Sequence, residues 1–328
     1  MVWLIQYELK KMLFRPFSIM AILITLAVNT ITICSDSGGS LIQRQDIEMQ
    51  KVEQYQYAGA INQEWANLIE TKLQEVRGNL GNLISQDEQE QVRQDYLRRG
   101  YTKEYVNSMD NTAFLKPELL HGLAYRVLLD AEASSEFYDN AQKMSVALGN
   151  MYRTEFDGKQ GEVLAAKAEG MYGHLAQRYT AYYDYNLGWN KLISLQKLLP
   201  FTVGLFLLVT LSTIFSEEYS LKTDSLLLSS KYGKSKLPQA KVMAAILATT
   251  GVWLIIQVVN LLLVAWLFGL QGAHTFVQNW VYNNSPFAFT HFTHYLAFTF
   301  MSFLGALSFA AVIIFTSAKT KSPFISLL

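Results

Sequence analysis

Gly233-Lys234-Ser235 has the ending of a phosphate-binding loop, in which backbone N–H groups and a lysine hold the phosphates of a nucleotide. The motif also needs a glycine five positions before Gly233, but position 228 is Leu and no strand pattern precedes it. A nucleotide site of this chain's own is therefore not expected. His291 and His294 stand three apart on one helical face, a spacing that suits a metal ion, yet they have no carboxylate or cysteine beside them. The HExxH, CxxC and GxSxG patterns are missing. Cys34, the single cysteine, allows no internal disulfide. No catalytic residue, metal site or resident cofactor is expected, which leaves charge and hydrogen bonding as the chemistry to follow.

Charge is concentrated in residues 217–241, where Glu217, Glu218 and Asp224 mix with Lys222, Lys231, Lys234, Lys236 and Lys241. Lysines flanking apolar runs hold a loop on the cytoplasmic side of a membrane. A short helix in such a loop is placed to exchange force with a cytosolic partner. Hydrogen-bonding capacity inside the apolar runs rests mainly on amides: Asn29 in the first, and Gln257 with Asn260 on one face of the third. An amide unpaired in hydrocarbon costs roughly several kcal/mol, so these side chains should face protein or a wet cavity. Helix–helix adhesion and a cargo path both remain open for them. The runs hold no Asp, Glu, Lys or Arg, so a proton or ion relay has no groups to use.

The elements that must position these residues follow from where formal charge stops. Pro16–Ser35, Leu198–Phe215 and Val242–Ala318 are free of it. About 20 residues at about 1.5 Å each cross the roughly 30 Å hydrocarbon core. The third run is too long for one crossing and divides at Gln271–Pro286 into Val242–Leu270 and Thr290–Ala318. The expected fold class is all-α, a polytopic helical membrane protein with four visible spans and a large helical domain between the first two. The expected divisions are an amphipathic helix at 1–16, span 1 at 17–35, an outer domain at 36–196, span 2 at 197–216, and an inner loop at 217–241. Span 3 at 242–270, an outer loop at 271–289, span 4 at 290–318 and an inner segment at 319–328 complete the chain. In the first of these, Val2, Ile5, Leu9 and Met12 share a face opposite Glu8, Lys11 and Arg15, and Pro16 should bend the chain. No small-x-small site follows the first run, so it reads as an anchor that is kept. Ser302, Gly305 and Ser308, with Ala306 and Ala310, make a small-residue face suited to close helix packing.

The 27 Lys and Arg balance the 27 Asp and Glu, but unevenly along the chain. The acidic surplus lies in 36–195, and most remaining bases border the ends of runs that would then face the cytoplasm. This puts the N-terminus inside and 36–196 outside. Apolar residues such as Ala58, Ile61, Trp65, Ile69, Leu73 and Val76 step by three or four, which predicts three or four long helices, two of them able to form a stalk. Gly78, Gly81, Gly100, Gly158 and Gly161 are the expected breaks. Without a disulfide, core packing alone would hold this domain. Tyr172, Tyr179, Tyr182, Tyr183, Tyr185 and Trp189 crowd the return to the membrane, as an interfacial belt or as a platform for a lipid or amphipathic peptide.

Three segments carry a family resemblance: YELKKMLFRP at the start, SEEYSLKTDSLLLSSKYGKSKL after the second run, and TSAKTKSPF after the fourth. Their order resembles the membrane subunits of bacterial ATP-binding-cassette exporters of the type-2 superfamily, especially permeases with a large outer domain after the first span. The resemblance implies an elbow helix at the start and a coupling helix that sits in a cleft of a separate cytosolic ATPase. Glu217, Glu218, Thr223, Asp224, Ser229, Ser230 and Gly233 would be the coupling residues. It further implies ATP and Mg bound by the partner ATPase, a second permease copy or sister permease, surrounding membrane lipids, no nucleic acid, and a bacterial cell membrane location with a cytoplasmic N-terminus. The cargo would be amphipathic: a peptide antibiotic, a lipid or a lipid-linked molecule. Such permeases usually have six spans. Here Lys319, Lys321 and Pro323 come where a fifth would begin, so the expectation is either a C-terminally incomplete permease or an unusually short subunit. The competing expectation is a non-transporting membrane sensor or scaffold whose outer domain binds a peptide or cell-wall ligand.

Overall fold

The computed structural model describes residues 1–35, 41–178, 181–223, 229–230, 233, 235–278 and 287–320. They fall into two compact units, Met1–Arg44 with Asn186–Gln271 and Phe292–Leu328, and Gln45–Tyr185 with Gly272–His291. Helices dominate both.

The first unit opens with α1 (Val2–Leu13), which gives way at Arg15 to α2 (Pro16–Cys34). Arg15 is extended and Pro16 occupies the first helical turn, where its missing N–H costs nothing, so the chain turns where the proline predicts. The polar face of α1 differs from the expectation. Glu8 is buried beside Met12, while Ile5, Leu9 and Leu13 pack on the same core and Trp3, Tyr7 and Phe14 are exposed. Positions 5, 8, 9 and 12 share one helical stripe, so Glu8 belongs to the inward face.

The second unit is built from α3 (Arg44–Tyr55), α4 (Gln63–Gly78), α5 (Gln86–Arg98), two short helices α6 (Lys103–Asn107) and α7 (Pro117–Leu120), and a long pair, α8 (Leu123–Glu155) and α9 (Lys159–Arg178). With α8 at 33 residues, α9 at 20, α4 at 16 and α5 at 13, the unit has the expected three or four long helices, with shorter ones between them. The long pair is a hairpin, turned at Gly158 with φ +65° and held by Arg153, which bonds Glu162 at 3.2 Å and Glu169 at 2.8 Å. The expected breaks at Gly78, Gly81 and Gly100 fall at helix ends or in a short turn, whereas Gly161 lies inside α9. Trp65, Ile69 and Leu73 of α4 pack against Tyr125, Leu128 and Ala131 of α8. A two-residue strand, β1 (Gly59–Ala60), pairs antiparallel with β2 (Tyr182–Tyr183), the one β ladder among the described residues.

Tyr172, Tyr183 and Tyr185 of the aromatic group are buried within this unit, while Tyr182 is exposed. Tyr183 is buried against Trp65 and donates to Asp130 at 3.0 Å, Tyr185 packs on Tyr55, and Tyr172 packs with Phe137. Burial, with Asp130 beside it, holds the Tyr183 phenol well above the usual tyrosine range. Tyr179 lies outside the described residues. The described residues of the expected outer loop at 271–289 group with this unit from Gly272 on: Val277 N–H donates to Phe289 C=O at 3.0 Å, and Ala288 packs on the Phe137–Tyr172 cluster.

The first unit continues with α10 (Leu187–Leu211), α11 (Thr213–Ser220), α12 (Lys236–Leu267) and α13 (His291–Lys319). The expected boundary at 196 moves to Asn186, because Lys191 and Lys197 sit within the second apolar helix and a charge-free criterion starts it late. Trp189 accordingly belongs to the bundle, bonding Leu270 C=O and packing on Phe292. Gly188 is required there, since a Cβ would lie 2.0 Å from the carbonyl oxygen of Gly269. Close packing rests on α12, whose Ala240, Ala244, Ala245 and Ala248 are fully buried. On α13, Ala306 and Ala310 are buried as expected, but Ser308 is exposed and Gly305 faces open space.

Candidate functional site

Two polar clusters stand out in the helical bundle, one charged and one neutral. The charged one forms where α10 breaks. At Ser212 the helix hands over to α11, and Ser317 of α13 caps the new start: its hydroxyl accepts from the N–H groups of Phe215 (3.1 Å) and Ser216 (3.3 Å) and donates to Ser212 C=O at 2.7 Å. Arg15 donates to Thr213 Oγ1 at 2.6 Å and to the Glu217 carboxylate, which Lys11 also reaches at 3.1 Å. Lys241, only 1% exposed, pairs with Glu218, donates to Ile214 C=O at 2.7 Å and lies 5.0 Å from the Phe215 ring centre. Glu8 is buried beside this group. Burial pushes its carboxyl above the usual range, while the positive charge of Lys241 pulls the other way.

α11 then stops abruptly. Thr223 N–H returns to Glu218 C=O at 3.0 Å and Lys222 N–H to Tyr219 C=O at 3.2 Å, with Lys222 in the left-handed region at φ 56°. This turn usually takes glycine, so a lysine there marks a constrained exit from the helix. Of the expected 217–241 loop, both ends are thus helical. Thr223, Ser229 and Ser230 are exposed and Gly233 is buried; Asp224, with Lys231 and Lys234, lies outside the described residues. Glu217 and Glu218 are committed to ion pairs within the chain, a role that sequence reasoning did not assign to them.

The neutral cluster lies among α10, α12 and α13. Gln196 and Gln257 exchange amide hydrogen bonds at 3.1 and 3.2 Å. Tyr295 donates to Gln257 Oε1 at 3.4 Å, and Trp253 donates to Ser302 at 3.2 Å. Gln196 was not a predicted site residue, because the charge-based boundary placed it in the outer domain; the helical pattern running on to Pro200 was the available signal. Asn260 is not part of this network. Asn29 and Asn260 are each 1% exposed, and neither side-chain amide has a hydrogen-bond partner among the described residues. His291 and His294 are buried near the start of α13, and the described residues contain no group of three His, Cys, Asp or Glu side chains able to hold a metal.

The fold defines a class: a mainly helical protein in which α2, α10 running on through α11, α12 and α13 are each long and apolar enough to cross a membrane. Comparison with protein-family models, curated proteins and solved structures finds no match to the chain.

Proposed function

We propose that this chain is the permease subunit of an ATP-driven exporter of the type-2 ATP-binding-cassette kind, driven by a separate cytosolic ATPase and carrying an amphipathic cargo across a bacterial cell membrane. The proposal rests on the family resemblance of the three segments. The observation that best supports it is the wiring of α11. Through Glu217 it is tied to Lys11 and Arg15 at the α1–α2 junction, and through Glu218 and Ile214 to Lys241 on α12. A push on the segment after α11 would therefore reach α1, α2 and α12 together. In this reading ATP closes the partner ATPase, α11 moves with it, and the bundle rocks. Orientation with the N-terminus inside is part of the same reading. It rests on the Lys and Arg residues that border the ends of the apolar runs.

The test must spare the internal ion pairs. Thr223→Arg with Ser230→Arg adds charge at exposed positions beyond α11, where a docking cleft would feel it, and leaves the ion pairs of Glu217 and Glu218 in place. The double variant is expected to insert normally, lose co-purification with its ATPase and lose export. Normal ATPase recovery and normal export would sink the coupling role, and the absence of any co-purifying ATPase would favour the sensor or scaffold instead.

A further inference from the structure

A cleft of about 540 Å³ runs between α10 and α13 with Trp253 of α12 in its wall. This lies within the roughly 300–1,000 Å³ of small-ligand sites. On α10 its lining residues begin at Gln196 and end at Leu207, and on α13 they begin at Phe298 and end at Phe309. Each set follows one helical stripe, so the cleft is about 16 Å long at about 1.5 Å per residue. Phe201 and Met301 on its edges are 76% and 65% exposed, and both belong to helices apolar enough for a bilayer. The cleft thus opens toward hydrocarbon in a membrane, not toward water.

Its two ends differ chemically. One carries Gln196 and Ser302, and Pro200 has no N–H to give to the carbonyl of Gln196 one turn earlier, which leaves that carbonyl short of its helical donor. The other end, at Leu207 and Phe309, is wholly apolar. No lining residue carries a charge. A site long, narrow and open to hydrocarbon selects an alkyl chain. A neutral polar end with an underused carbonyl selects a head that donates hydrogen bonds, and the absence of cations gives an anionic head no partner. We propose that this cleft binds a single-chain amphiphile with an uncharged, hydrogen-bond-donating head, and that this is the cargo class of the exporter. The word cargo rests on the exporter reading; the binding does not.

Gly305 offers a clean probe, because a Cβ there meets nothing within 4 Å and a larger side chain would enter the cleft without a clash at its first atom. The full chain in lipid nanodiscs would be titrated with a monoacylglycerol brominated on its chain, reading tryptophan quenching. Saturable quenching is expected in the wild type. It should disappear in Trp253→Phe and weaken at least tenfold in apparent affinity in Gly305→Leu. A brominated anionic lysolipid should quench without saturation. Equal saturable quenching in wild type and Gly305→Leu would overturn the proposal. So would complete disulfide cross-linking of Met301→Cys, made together with Cys34→Ser, between two copies with no saturable quenching, which would assign the cleft to a second copy of this chain. No readout involves an ATPase, so failure here leaves the exporter reading standing, and failure of ATPase association leaves a positive result here intact.

Discussion

The charged cluster around Lys241 and the amide cluster around Gln257 solve one problem in opposite ways. Both join helices that gain little from hydrophobic burial against one another in lipid. Around Lys241, full charges are spent: one deeply buried ammonium answers a carboxylate, a carbonyl and an aromatic face at the break between α10 and α11. Around Gln257 no charge is used, and amides and hydroxyls satisfy one another. Ions are kept at the break between α10 and α11, while neutral groups suffice along α10, α12 and α13, even where Pro200 leaves one helical hydrogen bond unmade. The first arrangement is strong and intolerant of losing a member. The second is weak and forgiving.

The largest effect should come from splitting the charged pair. Lys241→Met leaves Glu218 without its ammonium in a poorly solvated place, and breaking a buried pair this way costs about 3–5 kcal/mol. Resistance to unfolding by added SDS, measured in micelles, should fall by that order, and Lys241→Met with Glu218→Gln should recover much of the loss. Additive effects of the two substitutions would deny the coupling. Interhelical hydrogen bonds in membranes average about 0.6 kcal/mol and reach about 1.7. Gln257→Leu, which removes several at once, should therefore cost about 1–2 kcal/mol. Gln196→Leu added to it should cost almost nothing more, and a loss as large as that of Lys241→Met would erase the contrast.

The smallest effect concerns Glu8. Its carboxyl is held above the usual range by burial, so packed α1 keeps a proton that released α1 would give up. Between the ordinary carboxylate value and the raised one, α1 docking should weaken as pH rises; below both it should not change with pH. Proteolysis at the N-terminus, followed against pH, reads this release, and Glu8→Gln should flatten the profile. A profile rising toward acid pH would mean that the ion pairs of Glu217 and Glu218 govern docking instead.

The four apolar helices were legible because absence of charge over about 20 residues is a strong and local signal. So was the turn at Pro16. The ends of the helices were less so. Lys191 and Lys197 sit inside α10, where long side chains can carry their charge to the margin of an apolar face, and a rule that stops at charge stopped too late in the chain. The partners of Glu217 and Glu218 were not legible at all, because Arg15 and Lys241 are brought to them by tertiary packing across long stretches of sequence. The same holds for Gln196 and Gln257: each amide is visible in the sequence, but their exchange of hydrogen bonds is a fact of helix register. The tyrosines before α10 were ambiguous for a further reason. Their amphipathic chemistry suits a headgroup belt and a protein core equally, and only the β1–β2 pairing draws Tyr183 inward.

That second unit is assembled from two stretches, Gln45–Tyr185 and Gly272–His291, separated in the chain by α10, α11 and α12. During synthesis the first stretch must wait for three more helices to be made before the piece that completes it arrives. The unit is therefore finished late although most of it is made early, and the surface around Phe137 and Tyr172 that receives Ala288 stays uncovered during that interval. A helper that shields nascent chains would find its clearest opportunity there.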